Sequence, residues 1–248
     1  LTFYLPSSYS ETVSKETKKN EAGYRWETID SQTKKALSYI ANDDYVNFEK
    51  YMDSVEKLNP ELPIANSIWA AMYYKITEEY RTKEFETDFD EVIKKAVTAL
   101  EDEKMDKDKG DIYKAKRLQF LGSAYGYRGM YRTLKGLWAS AFLDGKRAYH
   151  VLEDSLKLDP SLIDNKAGMG TYLYWRSAKS GVVKYLLFWG DKKEEGINYI
   201  KSTLDDSKII KLWALGGLVR IYIEEKKGTS AIESADKILE DAPNDIGT

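Results

Sequence analysis

Ser155-Leu-Lys-Leu-Asp-Pro160 closes an amphipathic helical run with a polar stop and a proline, and the chain does this three times. Val55-Glu-Lys-Leu-Asn-Pro60 and Ile238-Leu-Glu-Asp-Ala-Pro243 have the same form. Proline cannot continue a helix, because it lacks the amide donor and crowds the residue before it. Counting back twelve residues from each proline finds Phe48, Ala148 and Ala231; counting back twenty-one finds Tyr39, Ala139 and Tyr222. A helix pair that recurs with the same stop is the mark of a helical repeat.

Composition narrows what such an array can do. Across 248 residues, 42% hydrophobic and 13% aromatic residues are ample for a buried core. The 38 basic and 41 acidic residues nearly cancel, leaving no basic footprint for nucleic acid or for an anionic membrane. With no cysteine there is no disulfide, iron–sulfur or thiolate chemistry, and a single histidine, His150, makes the usual zinc or copper ligand sets unexpected. No apolar run approaches the roughly 20 residues that span a bilayer. The chain opens at Leu1, has no cysteine and is rich in Lys and Tyr, so we expect an exported bacterial protein, periplasmic or envelope-associated, with a cytoplasmic one as the alternative.

Residues 1–28 are polar, with scattered aromatics such as Tyr4, Tyr24 and Trp26, and read as an N-terminal arm. From there residues 29–248 read as one continuous helical domain, with hydrophobics three and four apart and no alternating run bounded by turn residues. The pattern predicts helices over 29–42, 45–59, 63–82, 88–103, 109–131, 135–158, 163–179, 182–189, 192–205, 208–226 and 230–241. Pro63 suits a first helical turn. Asp88 with Glu91, Asp191 with Glu194 and Ser230 with Glu233 have capping-box spacing, each pair able to satisfy orphan amides.

Paired as A and B helices, these runs form about five irregular units. Tyr39 is followed by Phe48, Met52 and Val55; Trp69, Ala70 and Tyr73 by Val97 or Ala99; Leu121, Gly122 and Tyr125 by Ala148 and Leu152. Met169, Gly170 and Tyr174 are followed by Gly196 and Ile200, and Leu218 and Tyr222 by Ala231, Ala235 and Ile238. A large residue, a small one and an aromatic on helix A, then small residues on helix B before a proline, resembles the tetratricopeptide repeat (TPR) superfamily in a divergent form. The resemblance covers roughly residues 29–243 and implies an all-α, TPR-like helical-hairpin array. The Tyr-rich, extended helices are also similar to bacterial envelope TPR-like proteins such as transporter T-components.

In that superfamily partners sit on the concave face lined by helix A. Carried onto this chain, the face holds Tyr74, Lys75, Gln119, Ser123, Tyr127, Thr171, Tyr174, Trp175, Arg176 and Arg220, with Trp213 beside them. Tyr and Trp bury large area with few rotamers and keep a polar tip, which suits recognition, yet the same aromatics could equally pack between helices. The resemblance therefore implies a non-catalytic scaffold for a protein or peptide partner. The alternative is a module for a small or lipid-like ligand, enclosed near Tyr174 and Trp175.

Other motifs are read as structural. Gly122, Gly126 and Gly129 recur at helical spacing with no strand before them, so they predict close helix contact, not a phosphate cradle. Asp106-Lys-Asp-Lys-Gly-Asp111 only superficially matches a calcium loop, since its twelfth position is Arg117, where a bidentate Glu belongs. No nucleophile is matched to His150, and no G-x-S-x-G, H-E-x-x-H or Walker sequence occurs, so neither catalysis nor a cofactor or metal is expected.

Overall fold

Buried residues along the last helix are Ala231, Ser234 and Ile238, and along the second Phe48, Met52 and Val55. Those spacings place one stripe per helix against a neighbour, and each large apolar side chain so enclosed contributes about 1.5–3 kcal/mol. In a computed structural model of the chain, which describes residues 26–58, 63–102, 110–179, 190–205, 207 and 210–245, the protein is all-helical. The helices among the described residues are α1 (Trp26–Ala41), α2 (Tyr45–Leu58), α3 (Pro63–Tyr80), α4 (Glu86–Glu101) and α5 (Asp111–Leu134), followed by α6 (Trp138–Leu158), α7 (Asn165–Lys179), α8 (Lys193–Lys201), α9 (Lys211–Glu224) and α10 (Gly228–Asp241). None of them is long and apolar enough to cross a membrane. Most of the arm, the helix expected over 182–189, the aromatics Tyr185 and Trp189, most of the calcium-like loop and Pro60 lie outside the described residues.

Packing follows the chain in pairs. α1 packs on α2, α3 on α4, α5 on α6, α7 on α8, and α9 on α10. The first helix of each pair touches the first helix of the next, and each second helix touches the first of the next pair. Among the described residues, five helix pairs therefore stack in order.

Three of the hairpin turns share one construction. The amides of Asp44, Leu137 and Lys227 donate to the carbonyls of Tyr39, Arg132 and Tyr222, five residues back. The residue before each is left-handed: Asp43 (φ 55°), Gly136 (φ 73°) and Lys226 (φ 57°). This is the Schellman closure of a helix end, which satisfies orphan carbonyls. Measured from these turns, the third hairpin is the odd one, because α6 has 21 residues where α2 and α10 have 14. The extra seven residues are two turns of helix, so the buried face is kept while the hairpin lengthens. Ala141, not Ala148, is the turn-registered counterpart of Phe48 and Ala231. The proline count placed it on the right face but two turns away.

The capping boxes do not form as the spacing predicts. α4 and α10 begin one half-turn early, at Glu86 and Gly228, and neither helix has a side-chain cap. Asp191 comes nearest to its expected role, accepting from the Lys193 amide at 3.0 Å.

Small residues bring the hairpins together. A Cβ on Gly122 would stand 2.5 Å from the Leu152 side chain, and one on Gly129 would stand 3.2 Å from the Ala141 carbonyl. At Gly196 the obstacle is backbone, since a Cβ there would meet the Gly170 carbonyl at 2.6 Å. Gly126 departs from the expectation: nothing lies within 4 Å of where its Cβ would be. Polar links reinforce the stack. Ser155 Oγ donates to the Ala115 carbonyl (2.7 Å) and accepts from Asn165 Nδ2 (2.9 Å), joining α5, α6 and α7.

The ends of the array also meet. Ala41 of α1 shares an apolar cluster with Leu215 of α9 and with Ile238 and Ala242 at the end of α10. Arg220 of α9 reaches Glu78 of α3 through Nε at 2.9 Å and through Nη2. The stack thus curls until its last hairpin packs on its first two.

Candidate functional site

Curling turns the expected concave face inward. Tyr74 is 5% exposed and Tyr174 is fully enclosed; Lys75 and Gln119 are buried as well. Tyr127 of α5 has the Tyr74 ring at 6.2 Å on one side and the Trp213 indole at 5.9 Å on the other, so α3, α5 and α9 converge on it. Burial pushes the phenols of Tyr74 and Tyr127 well above the ordinary range. Arg220 is committed to Glu78, Ser123 to the Gln119 carbonyl (3.0 Å) and Thr171 to the Ala167 carbonyl (2.8 Å).

The remaining residues of that face group on α7. Trp175 meets Tyr174 edge-on at 5.1 Å and carries Lys179 over its ring, while the Arg176 guanidinium lies over Tyr172. Tyr174 donates to Glu225 at 2.8 Å, and its backbone sits against Gly196. The ten expected binding residues are therefore not brought together: Tyr74 and Tyr127 belong to an inner aromatic plug, Tyr174, Trp175 and Arg176 group on α7, and Lys75 and Arg220 are held by acids elsewhere. Several of them are core.

Lys75 closes the ring of hairpins. Its ammonium contacts Asp43 of the first turn at 3.1 Å, Glu79 one helical turn away, and Asp245 beyond α10 at 3.0 Å. One oxygen of each acid lies within 4.8 Å of the others, so the ammonium occupies the place a bound cation would take. The Tyr45 hydroxyl lies 2.8 Å from Asp43 and 3.0 Å from Glu79, with its one proton shared between the two carboxyl groups. Burial acts to lower the Lys75 pKa, but the carboxylates, Glu79 foremost, raise it on balance. Burial raises that of Glu79.

A different locus is an open cleft. Between α4, α5 and the α5–α6 turn lies a cleft of about 230 Å³. Its floor is the stacked pair Phe89 and Tyr131, centroids 3.8 Å apart and planes 9° apart. One wall carries Arg128 and Arg132; Asp90 stands on the α4 side, and Lys135 and Leu137 come from the turn. Lys135 pairs with Glu86, whose hydrogen bond raises the lysine pKa. Trp138, next to Leu137 in sequence, is 58% exposed.

Asp144, wholly buried on α6, organises the wall. It accepts from Arg128 Nε at 3.0 Å and Nη2 at 2.8 Å, and from Arg132 Nη1, while Arg147 stands 3.7 Å away. Arg128 and Arg147 also lie over the Tyr125 ring, at 5.0 and 5.9 Å. Bidentate pairing fixes a guanidinium plane in a way an ammonium cannot be fixed. These residues were not among those expected from sequence. The readable signal was an acid on an apolar stripe, Ala141-x-x-Asp144-x-x-x-Ala148, which demands cations from the facing helix; Arg128 and Arg132, one turn apart on α5, supply them.

His150, the chain's one imidazole, is exposed on α6 and meets the Tyr149 ring edge-on at 5.5 Å. Comparison of the chain with protein-family models, curated proteins and solved structures finds no match.

Proposed function

We propose that the chain is a non-catalytic, TPR-like scaffold that holds a protein or peptide partner at the cleft between its second and third hairpins. The stacking of five hairpins, each first helix on the next first helix, supports the repeat reading. The observation that carries the site is the cleft: an aromatic floor, a braced guanidinium wall and, next in sequence to its lining residue Leu137, an exposed Trp138. Aromatic and arginine side chains dominate binding energy at protein interfaces, because they bury area and donate in fixed directions. Most of the polar groups here are guanidinium and ammonium ions, which hold ligands but do not shuttle protons near neutral pH, with the Asp90 carboxylate opposite them. Helix A residues are engaged with one another inside the ring, so the partner surface lies at the hairpin-turn edge, away from the concave face.

The test is selection of peptides from a random display library on the intact chain, followed by affinity measurement with variants. Peptides so selected are expected to lose about tenfold or more, ~1.4 kcal/mol, against Trp138→Ala/Arg132→Gln. They are expected to bind Trp175→Ala unchanged. Equal binding to the cleft variant would remove the cleft from consideration.

A further inference from the structure

Resting on that reading of the cleft, we infer that the group it takes is a side-chain carboxylate of the partner, in an acidic peptide segment. Arg128 spends Nε and Nη2 on Asp144, and Arg132 spends Nη1. The other guanidinium N–H groups of Arg132 meet no acceptor among the described residues, and its side chain is one-third exposed at the cleft wall. Guanidinium donors held in place by a buried acid are prepared for an oxyanion, since orienting them on binding requires no further ordering.

Charge decides which oxyanion. Arg128 and Arg132 of the cleft wall share the single Asp144, leaving one positive charge in excess there; Arg147, the third guanidinium near Asp144, does not line the cleft. Lys135 and Glu86 cancel, and Asp90 stands on the opposite side. The excess of one at the arginine wall matches a carboxylate, whereas a phosphate dianion would carry its second charge toward Asp90. The cleft volume, about 230 Å³, admits an acidic side chain and leaves the exposed Trp138 and Leu137 for an adjoining apolar residue.

The experiment uses the full chain and two labelled peptides, Glu-Glu-Leu-Glu-Glu and Gln-Gln-Leu-Gln-Gln, with binding followed by fluorescence anisotropy. The acidic peptide is expected to bind about tenfold or more tighter, in line with a charge-assisted over a neutral hydrogen bond. Arg132→Gln should abolish that difference, and Arg132→Lys should restore part of it. Asp90→Asn should tighten the acidic peptide a few-fold and leave the amide peptide alone. Circular dichroism of each variant checks that the helices persist. Equal binding of the two peptides overturns the carboxylate inference while sparing the docking site; no binding of either peptide, with none emerging from library selection, overturns the docking site itself. Displacement of the acidic peptide by inorganic phosphate at lower concentration than by acetate would also overturn the choice of carboxylate.

Discussion

Gly126 and Gly170 share a residue type and a helical setting but differ in what surrounds them. Open space faces Gly126, whereas a Cβ on Gly170 would fall 2.9 Å from both Tyr199 and Ile200 and closer still to the Gly196 carbonyl. Glycine in a helix interior costs about 1 kcal/mol against alanine. Gly126→Ala is therefore expected to raise stability by about 0.5–1 kcal/mol in urea unfolding. Gly170→Ala is expected to lower it by roughly 1–3 kcal/mol, the range for overpacking, since the obstacle includes backbone. Spacing alone equated Gly126 with Gly122 and Gly129. It reports which face a residue occupies, and not how near the next helix comes to that face.

At the scale of the element, the repeated hairpin turn was partly legible. The proline stops marked the far ends of α2, α6 and α10, but the left-handed residues at 43, 136 and 226 carry no common residue type, being Asp, Gly and Lys. Only the backbone reveals that the three turns are alike. A side chain in that conformation is strained by about 1 kcal/mol, while glycine is not. Lys226→Gly should accordingly stabilise the chain by up to about 1 kcal/mol, and Gly136→Ala should destabilise it by a similar amount. Thermal unfolding of the two variants, in opposite directions from wild type, checks the shared geometry. The misplaced capping boxes have a related cause: these turns already fix where α6 and α10 begin, so Ser230 falls inside its helix and no cap is needed there.

For the whole molecule, closure makes burial of tyrosine the main determinant of alkaline behaviour. Among the described residues, burial raises nine phenols: Tyr45, Tyr73, Tyr74, Tyr125, Tyr127, Tyr131, Tyr149, Tyr172 and Tyr174. Tyr125 is pushed up to about 12, by burial first and then by its hydrogen bond to Glu101. A raised phenol keeps its proton in the folded state where the unfolded chain has lost it. The folded state then binds more protons, and stability falls as pH rises above about 10. Lys75 has the same sign: its contribution is complete below the ordinary lysine value and is lost as pH rises through the raised one. The urea midpoint is expected to drop steadily between about pH 10 and 12, with Tyr45→Phe flattening the slope. Phenolate absorbance should lag in the folded protein and appear with unfolding. Free titration of these tyrosines in the folded chain at pH 10 would contradict the closed ring.

Helices, their order and their pairing were determined by sequence, because apolar periodicity and proline stops act over a few residues and need no distant partner. Tyr73 packs beside Trp69, Gly170 meets Gly196 and Ile200, and Tyr174 meets Gly196, as the registered units implied. Tertiary structure alone decided that the tyrosine-rich helix A face closes on itself around Tyr127. Curvature of a stacked array accumulates from small rotations at each hairpin contact, and those depend on approaches such as Gly122 against Leu152 that no local pattern specifies. The same closure leaves Arg128, Arg132 and Asp144 at the turn edge, where residues 12–16 apart in sequence form the braced wall of the cleft.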